Sequence, residues 1–299
     1  MQSKYLIRDD IGGPRRLHYL ENGNTDARTV LCLHGVSRNA EDFTFLAQSL
    51  GDRYRVIALD LPGRGQSDWL NDKCSYQQTT YMQDIRALYD ALCIKQAAVI
   101  GASMGGFLGI RLAAESRCWA LGLVDVSPFM PSIYSQYVGR LLDSVPKILS
   151  DDEAMNWLRR LMGDTGHLGN EQWKHLLRSS STQAPDGRWR LAFDPGISHN
   201  YLSSNEKDID LWLHWESLRC PVFVLRAQRS RVLTSELLQA MVARTKTSLV
   251  THELADCGHC PHLLSKSHIS ALSDWLDRLA QRHRLSPESK NRLGAHNEY

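Results

Sequence analysis

The sequence predicts an α/β protein, a mostly parallel central sheet flanked by helices, and three observations predict it. Short strand-like runs alternate with helix-like ones. The first four strand-like runs, from Thr29 to Val126, are short and apolar on both faces, as buried parallel strands should be. A serine between two glycines stands directly at a strand-to-helix junction.

The elements follow in order. Thr29 to Leu33 reads as a strand and leads to a helix near Ala40 to Leu50; Arg55 to Leu59 leads to a helix over Thr79 to Leu92. Ala97 to Ile100 precedes a helix from Met104 to Ala114, and Leu121 to Val126 closes the first half. The alternation resumes with a strand at Pro221 to Leu225, a helix near Ser235 to Arg244, a strand near Ser248 to Leu254 and an amphipathic helix from about Lys266 to Arg282. Between Ser127 and Leu218 the chain is rich in Trp, Leu, Arg and Ser. It reads as helices at Ser135 to Leu142, Asp151 to Met162 and Asn170 to Arg178, with no buried strand. Asp151, Asp152 and Glu153 stand at a helix start, where the dipole favours carboxylates, so they read as capping. The expected organisation is a core of residues 1–127 and 217–285, an inserted helical segment 128–216 and a polar tail 286–299.

Composition narrows the function. The 299 residues, 42% hydrophobic and 23% charged, are those of a globular chain and exclude disorder or a fibre. A balance of 35 basic and 33 acidic residues, +2 overall, makes no electrostatic case for nucleic acid or an anionic membrane as partner. Met1 to Leu20 is interrupted by Lys4, Arg8, Asp9, Asp10, Arg15 and Arg16, so it has no apolar signal core, and no run approaches the length of a membrane span. The expectation is a cytoplasmic protein acting on a small molecule, with no membrane insertion; composition sets no oligomeric state.

Cys32, Cys74, Cys93, Cys118, Cys220, Cys257 and Cys260 are odd in number and scattered, as free thiols in a reducing compartment would be. Cys257-Gly258-His259-Cys260 is a C-x-x-C pattern, yet no second ligand pair and no thioredoxin-like context accompany it. No metal or organic cofactor is expected.

Gly101-Ala102-Ser103-Met104-Gly105-Gly106 carries the chemistry. A sharp strand-to-helix turn holds its serine in a strained conformation, lifts the hydroxyl out of the sheet and aims the next amide at a substrate oxyanion. A serine nucleophile needs a base, a group to orient that base and donors for the oxyanion. His34-Gly35-Val36 follows a strand and supplies a second oxyanion loop, the amide of Val36 joining that of Met104, with His34 structural. His259, after the last strand and before the last helix, is the candidate base.

These motifs resemble the α/β-hydrolase superfamily over nearly the whole chain. Asp60-Leu61-Pro62-Gly63-Arg64-Gly65-Gln66-Ser67 is similar to its D-x-x-G-x-G-x-S loop, and Arg38-Asn39-Ala40-Glu41-Asp42-Phe43 looks like bacterial members related to enol-lactonases and small carboxylesterases. The resemblance implies the α/β-hydrolase fold, with a helical lid after the sixth strand over a pocket at the sheet's C-terminal edge. A serine at the elbow argues against the haloalkane dehalogenase and epoxide hydrolase branches, which use aspartate.

The acid departs from the family pattern. Relatives carry Leu-Arg-Gly-x-x-Ser-Asp-x-Leu after the strand Pro221 to Leu225, and here Arg231 occupies the aspartate position. A guanidinium cannot accept the imidazole N–H and disfavours the imidazolium. Asp125, at the end of the neighbouring strand, is the candidate acid; Glu236, Asp256 or no acid at all are the alternatives, as is a structural Asp125 that caps its turn or pairs with Arg231.

The expected activity is hydrolysis of a small ester or lactone through an acyl-enzyme on Ser103. C–C bond hydrolysis of a diketone-type ring-fission product, or a weakened, ligand-binding protein, are the alternatives. Phe129, Met130, Tyr134 and Tyr137 are candidates for an apolar substrate pocket, and equally for packing of the inserted segment on the core.

Overall fold

The computed structural model describes residues 1–9, 13–144, 150–162, 164–183, 186–202, 207–259 and 261–285; Cys260 and the expected tail 286–299 lie outside them. Eight strands form one sheet in the order β1-β2-β4-β3-β5-β6-β7-β8. They are β1 (Gln2–Arg8), β2 (Arg15–Asn22), β3 (Thr29–Leu33), β4 (Arg55–Leu59), β5 (Ala97–Ala102), β6 (Cys118–Val124), β7 (Val222–Ala227) and β8 (Leu249–Leu254). The β1–β2 and β2–β4 pairs are antiparallel and every other pair is parallel. The parallel strands match the six predicted runs, although β6 begins at Cys118 rather than Leu121. The β1–β2 hairpin lies outside those runs, because its edge strand alternates exposed and half-buried residues and shows no continuous apolar stretch.

Successive strand residues point to opposite faces, and both faces are covered. Leu31, Leu33 and Val99 meet the helices α2 (Gln78–Ala91) and α3 (Met104–Ala114) through Ile85, Leu88, Leu108 and Leu112. Val30, Cys32 and Ile100 point to the other face, where α1 (Thr44–Leu50) contributes Leu46 and Leu50 and the C-terminal helix Lys266–Leu285 contributes Leu272 and Leu276. Removing one such buried leucine side chain costs about 2–5 kcal/mol. The helix expected from Ala40 is divided: Ala40–Phe43 is a 3-10 turn capped by the Asn39 side chain, and α1 starts at Thr44.

Between β6 and β7 the chain forms α4 (Ser132–Asp143), α5 (Asp151–Met162), α6 (Asn170–Ser180), α7 (Ser198–Leu202) and α8 (Trp212–Glu216). Two short ribbons are added to the helices: Phe129–Met130 pairs with Ile209–Asp210, and Ser181–Gln183 with Trp189–Leu191, and none of them is a buried strand. Ribbon strands of two or three residues, mostly half-buried or exposed, leave no apolar run to read. Ser150 and Glu153 cap α5 reciprocally, the Ser150 amide donating to the Glu153 carboxylate at 2.8 Å. After α8 come α9 (Ser235–Arg244), whose cap Thr234 accepts from the Leu237 amide, and α10 (Lys266–Leu285).

Candidate active site

Ser103 joins β5 to α3 with φ 48° and ψ −116°, a left-handed conformation that costs a serine about 1–3 kcal/mol. The surrounding packing enforces it. A Cβ on Gly105 would overlap the carbonyl oxygen of Leu33, and one on Gly101 would overlap that of Gly105, so α3 approaches β3 and β5 closer than any side chain permits.

Three side chains from three strand ends then meet. Ser103 Oγ lies 3.0 Å from His259 Nε2, and His259 Nδ1 lies 2.8 Å from Asp125 Oδ2. A carboxylate can only accept, so Nδ1–H donates to Asp125 and the Nε2 lone pair faces the serine hydroxyl. Asp125 is fully buried, follows β6 with φ 54°, and accepts the Ala227 amide on its other oxygen at 2.9 Å. His259 and Ser103 are only half-buried, open to a substrate or water.

The other candidate acids stand apart. Arg231 is exposed, and no ion pair joins it to Asp125 among the described residues. Asp256 is exposed beside Arg229, and Glu236 lies in the first turn of α9. Arg229 also pairs with Asp164, whose carbonyl accepts from the Gly258 amide, so the residues before His259 are tied to the segment between α5 and α6.

His34 follows β3, fully buried and hydrogen-bonded on both nitrogens. Its Nδ1–H donates to the Gly35 carbonyl at 2.7 Å, and its Nε2 accepts the Leu61 amide at 3.0 Å. Burial pushes its pKa down to about 4, so it is a neutral strut that shapes the loop carrying Val36. The amide of Met104, first in α3, has no intrahelical acceptor by its position, and the helix dipole adds positive character there. Gly35 brings the Val36 loop against Ser103.

Phe129 and Tyr134 are half-buried, in the Phe129–Met130 ribbon strand and the first turn of α4, and Met130 is half-buried beside Phe129. Tyr137 is 63% exposed and faces solvent, which removes it from the pocket candidates. The hydroxyl of Tyr201 in α7 meets Met104 Sδ at 3.5 Å; lying in a helix of five residues, Tyr201 carries no sequence motif. Cys257 is buried, its thiol reaching the Leu254 carbonyl, and burial holds its pKa up at about 11, so it is no thiolate. Its expected C-x-x-C partner, Cys260, lies outside the described residues.

A second Ser–His–Asp chain serves as an internal control. Ser3 Oγ lies 2.8 Å from His18 Nε2, and His18 Nδ1 lies 2.7 Å from Asp60 Oδ2, distances like those at Ser103. Ser3 sits in a regular strand with no helix N-terminus beside it, and Asp60 also anchors the amides of Ala40 and Gln66. Distances alone do not make a nucleophile; Ser103 differs from Ser3 in its strained backbone and its place at the start of a helix, whose first amides lack intrahelical acceptors.

Residues 30–274 match the alpha/beta hydrolase family. The chain is 31% identical over 269 residues to a 3-hydroxybutyrate-oligomer hydrolase from Cupriavidus necator, an alignment covering 86% of this chain and 92% of that protein. Among solved structures it is similar to an alpha/beta hydrolase from Novosphingobium aromaticivorans, with TM-score 0.81 and 29% identity over 93% of this chain and 98% of that one. A candidate hydrolase from Rickettsia typhi gives TM-score 0.85 and 27% identity over 93% and 99%.

Proposed function

Because this chain belongs to the alpha/beta hydrolase family, we propose that it is a serine hydrolase of short esters or lactones of hydroxy acids, acting through an acyl-enzyme on Ser103. The observation that carries this is the continuous hydrogen-bonded chain from Ser103 through His259 to buried Asp125. Ser103 Oγ attacks the ester carbonyl while His259 Nε2 takes its proton, and Asp125 stabilises the resulting imidazolium. The amides of Val36 and Met104 hold the oxyanion, and collapse expels the alcohol, protonated by His259. Water, deprotonated by the same imidazole, then releases the acid and restores the serine. Residues 128–216 act as the lid, with Phe129 and Tyr134 facing the acyl group. Likeness to the 3-hydroxybutyrate-oligomer hydrolase supports a substrate made of short β-hydroxy-acid units.

The test is a chain-length series of 4-nitrophenyl esters together with 3-hydroxybutyrate dimers and trimers, on wild type and Ser103→Ala. Turnover in the wild type alone, with a fluorophosphonate probe marking Ser103, is expected. Turnover surviving in Ser103→Ala, or a probe that leaves Ser103 unmarked, defeats the reading.

A further inference from the structure

Arg64 is 0% exposed, yet among the described residues no carboxylate lies within ion-pair distance of its guanidinium. The acids nearby in sequence or contact are engaged elsewhere: Asp60 with His18, Ala40 and Gln66, and Asp194 with Lys73, Tyr76 and Gly196. Arg64 Nε donates to the Val36 carbonyl at 2.8 Å, and Nη1 donates to the Pro62 carbonyl at 2.9 Å and the Tyr81 hydroxyl at 2.7 Å. Its guanidinium carbon stands 5.0 Å from the Tyr81 ring centroid and 5.7 Å from that of Tyr76. Among the described residues, the acceptor that Nη2 meets is the thioether of Met104, at 3.8 Å, a weak one.

Burying a cation without an anion is costly, and carbonyls and ring faces offset only part of that cost. A neutral side chain would fill the space with less penalty. Arg64 touches both residues whose amides are assigned to the oxyanion under the proposed function, Val36 through its carbonyl and Met104 through its sulfur. A positive charge in a dry, low-dielectric interior acts strongly on charge developing nearby, and one already fixed in place needs no reorganisation when the reaction occurs.

We infer that Arg64 is a positioning residue for this hydrolase, its buried guanidinium fixing the Val36 loop and the Met104 side chain and setting the positive field in which the oxyanion forms. The inference rests on the serine-hydrolase reading above. It assigns Arg64 no contact with substrate. The cation stands behind the two amide donors and acts through them.

The experiment compares wild type, Arg64→Met, Arg64→Lys and Ser103→Ala in three readouts: kcat and KM for a 4-nitrophenyl ester, inhibition by phenylboronic acid, and the thermal midpoint. Boronate forms an anionic tetrahedral adduct on serine and so reports the oxyanion environment without turnover. Arg64→Met is expected to lower kcat about tenfold to hundredfold, with KM within about threefold and boronate affinity falling in parallel. Arg64→Lys, which keeps the charge, recovers part of both. If Arg64→Met does not fold, folded Arg64→Lys decides alone: kcat within about tenfold of wild type is expected, and loss to the Ser103→Ala level overturns the inference. So does a folded Arg64→Met with wild-type kcat and boronate affinity, or losses in both variants that track the thermal midpoint alone. A wild type as inactive as Ser103→Ala overturns the hydrolase reading itself, and boronate affinity then still distinguishes the Arg64 variants.

Discussion

Asp125 Oδ2 lies 2.8 Å from His259 Nδ1 across 134 positions of sequence, while Arg231, at the position where the sequence resemblance leads one to expect the acid, is exposed to solvent. The carboxylate reaches the imidazole from the end of β6 instead of the end of β7. These strands are hydrogen-bonded neighbours, with Leu225 paired to Val124, so either end presents an acid to the same histidine.

Asp125→Asn is therefore expected to lower kcat by about 10³ to 10⁴, because an amide in that place favours the wrong imidazole tautomer. Arg231→Ala should leave kcat within about twofold, as expected of a surface change away from the reacting groups. Steady-state kinetics on a 4-nitrophenyl ester checks both. A large loss in Arg231→Ala would return the acid question to β7.

Stability should fall on mild acidification. His34 and His262 are buried, and burial lowers their pKa values to about 4 and about 3, so both are neutral when folded. The unfolded chain protonates them below about pH 6.5, which favours unfolding. Their contribution is complete above that pH and is lost as the pH falls toward 4 and 3, at up to about 1.4 kcal/mol per pH unit for each. Urea unfolding between pH 7 and pH 5 measures the slope, and His262→Phe should flatten it. An unchanged slope in that variant would contradict the assignment.

Gly105→Ala should yield little soluble protein, since its Cβ overlaps the Leu33 carbonyl and neither α3 nor β3 can yield. Gly169→Ala is the control: its Cβ meets only the Gln172 side chain at 3.7 Å, and the thermal midpoint should stay within about 2 °C. Soluble yield and thermal melts separate the two.

Arg38 holds Asp42, next to the Val36 loop, and donates to Ser180 Oγ at the end of α6. Although burial raises the Asp42 pKa, the Arg38 charge and hydrogen bonds outweigh it and hold the carboxyl below its usual range. Arg38→Met leaves that carboxylate unpaired and should cost about 2–4 kcal/mol, less than a fully buried pair because Asp42 keeps partial exposure. Arg38→Met with Asp42→Asn should recover much of the loss. Chemical denaturation of the wild type, the two single variants and the double variant in a double-mutant cycle gives the coupling.

Much of this was legible from one dimension because it is local. The inner parallel strands announce themselves as short, largely apolar runs, and the elbow as two glycines around Ser103, whereas the outer strand Leu249–Leu254 mixes in Thr251, His252 and Glu253. The β1–β2 hairpin was not legible, because an edge strand needs no apolar run, and neither were the ribbons at Phe129–Met130 and Ser181–Gln183, which are too short to carry a period. Arg64 was visible only as one letter of a loop motif, since nothing local says that a cation will be buried without an anion.

By itself, the sequence determined the α/β alternation, the strained serine between strand and helix, and a histidine placed late enough to serve it. Periodicity and turn chemistry act over a few residues, and those features need no more. Tertiary structure alone decided that Asp125 rather than Arg231 faces His259, that Ser3-His18-Asp60 repeats the distances without the elbow, and that Arg64 lies under Val36 and Met104. Each depends on which strand ends and loops the sheet order brings side by side, a relation between residues far apart in the chain that no local pattern encodes.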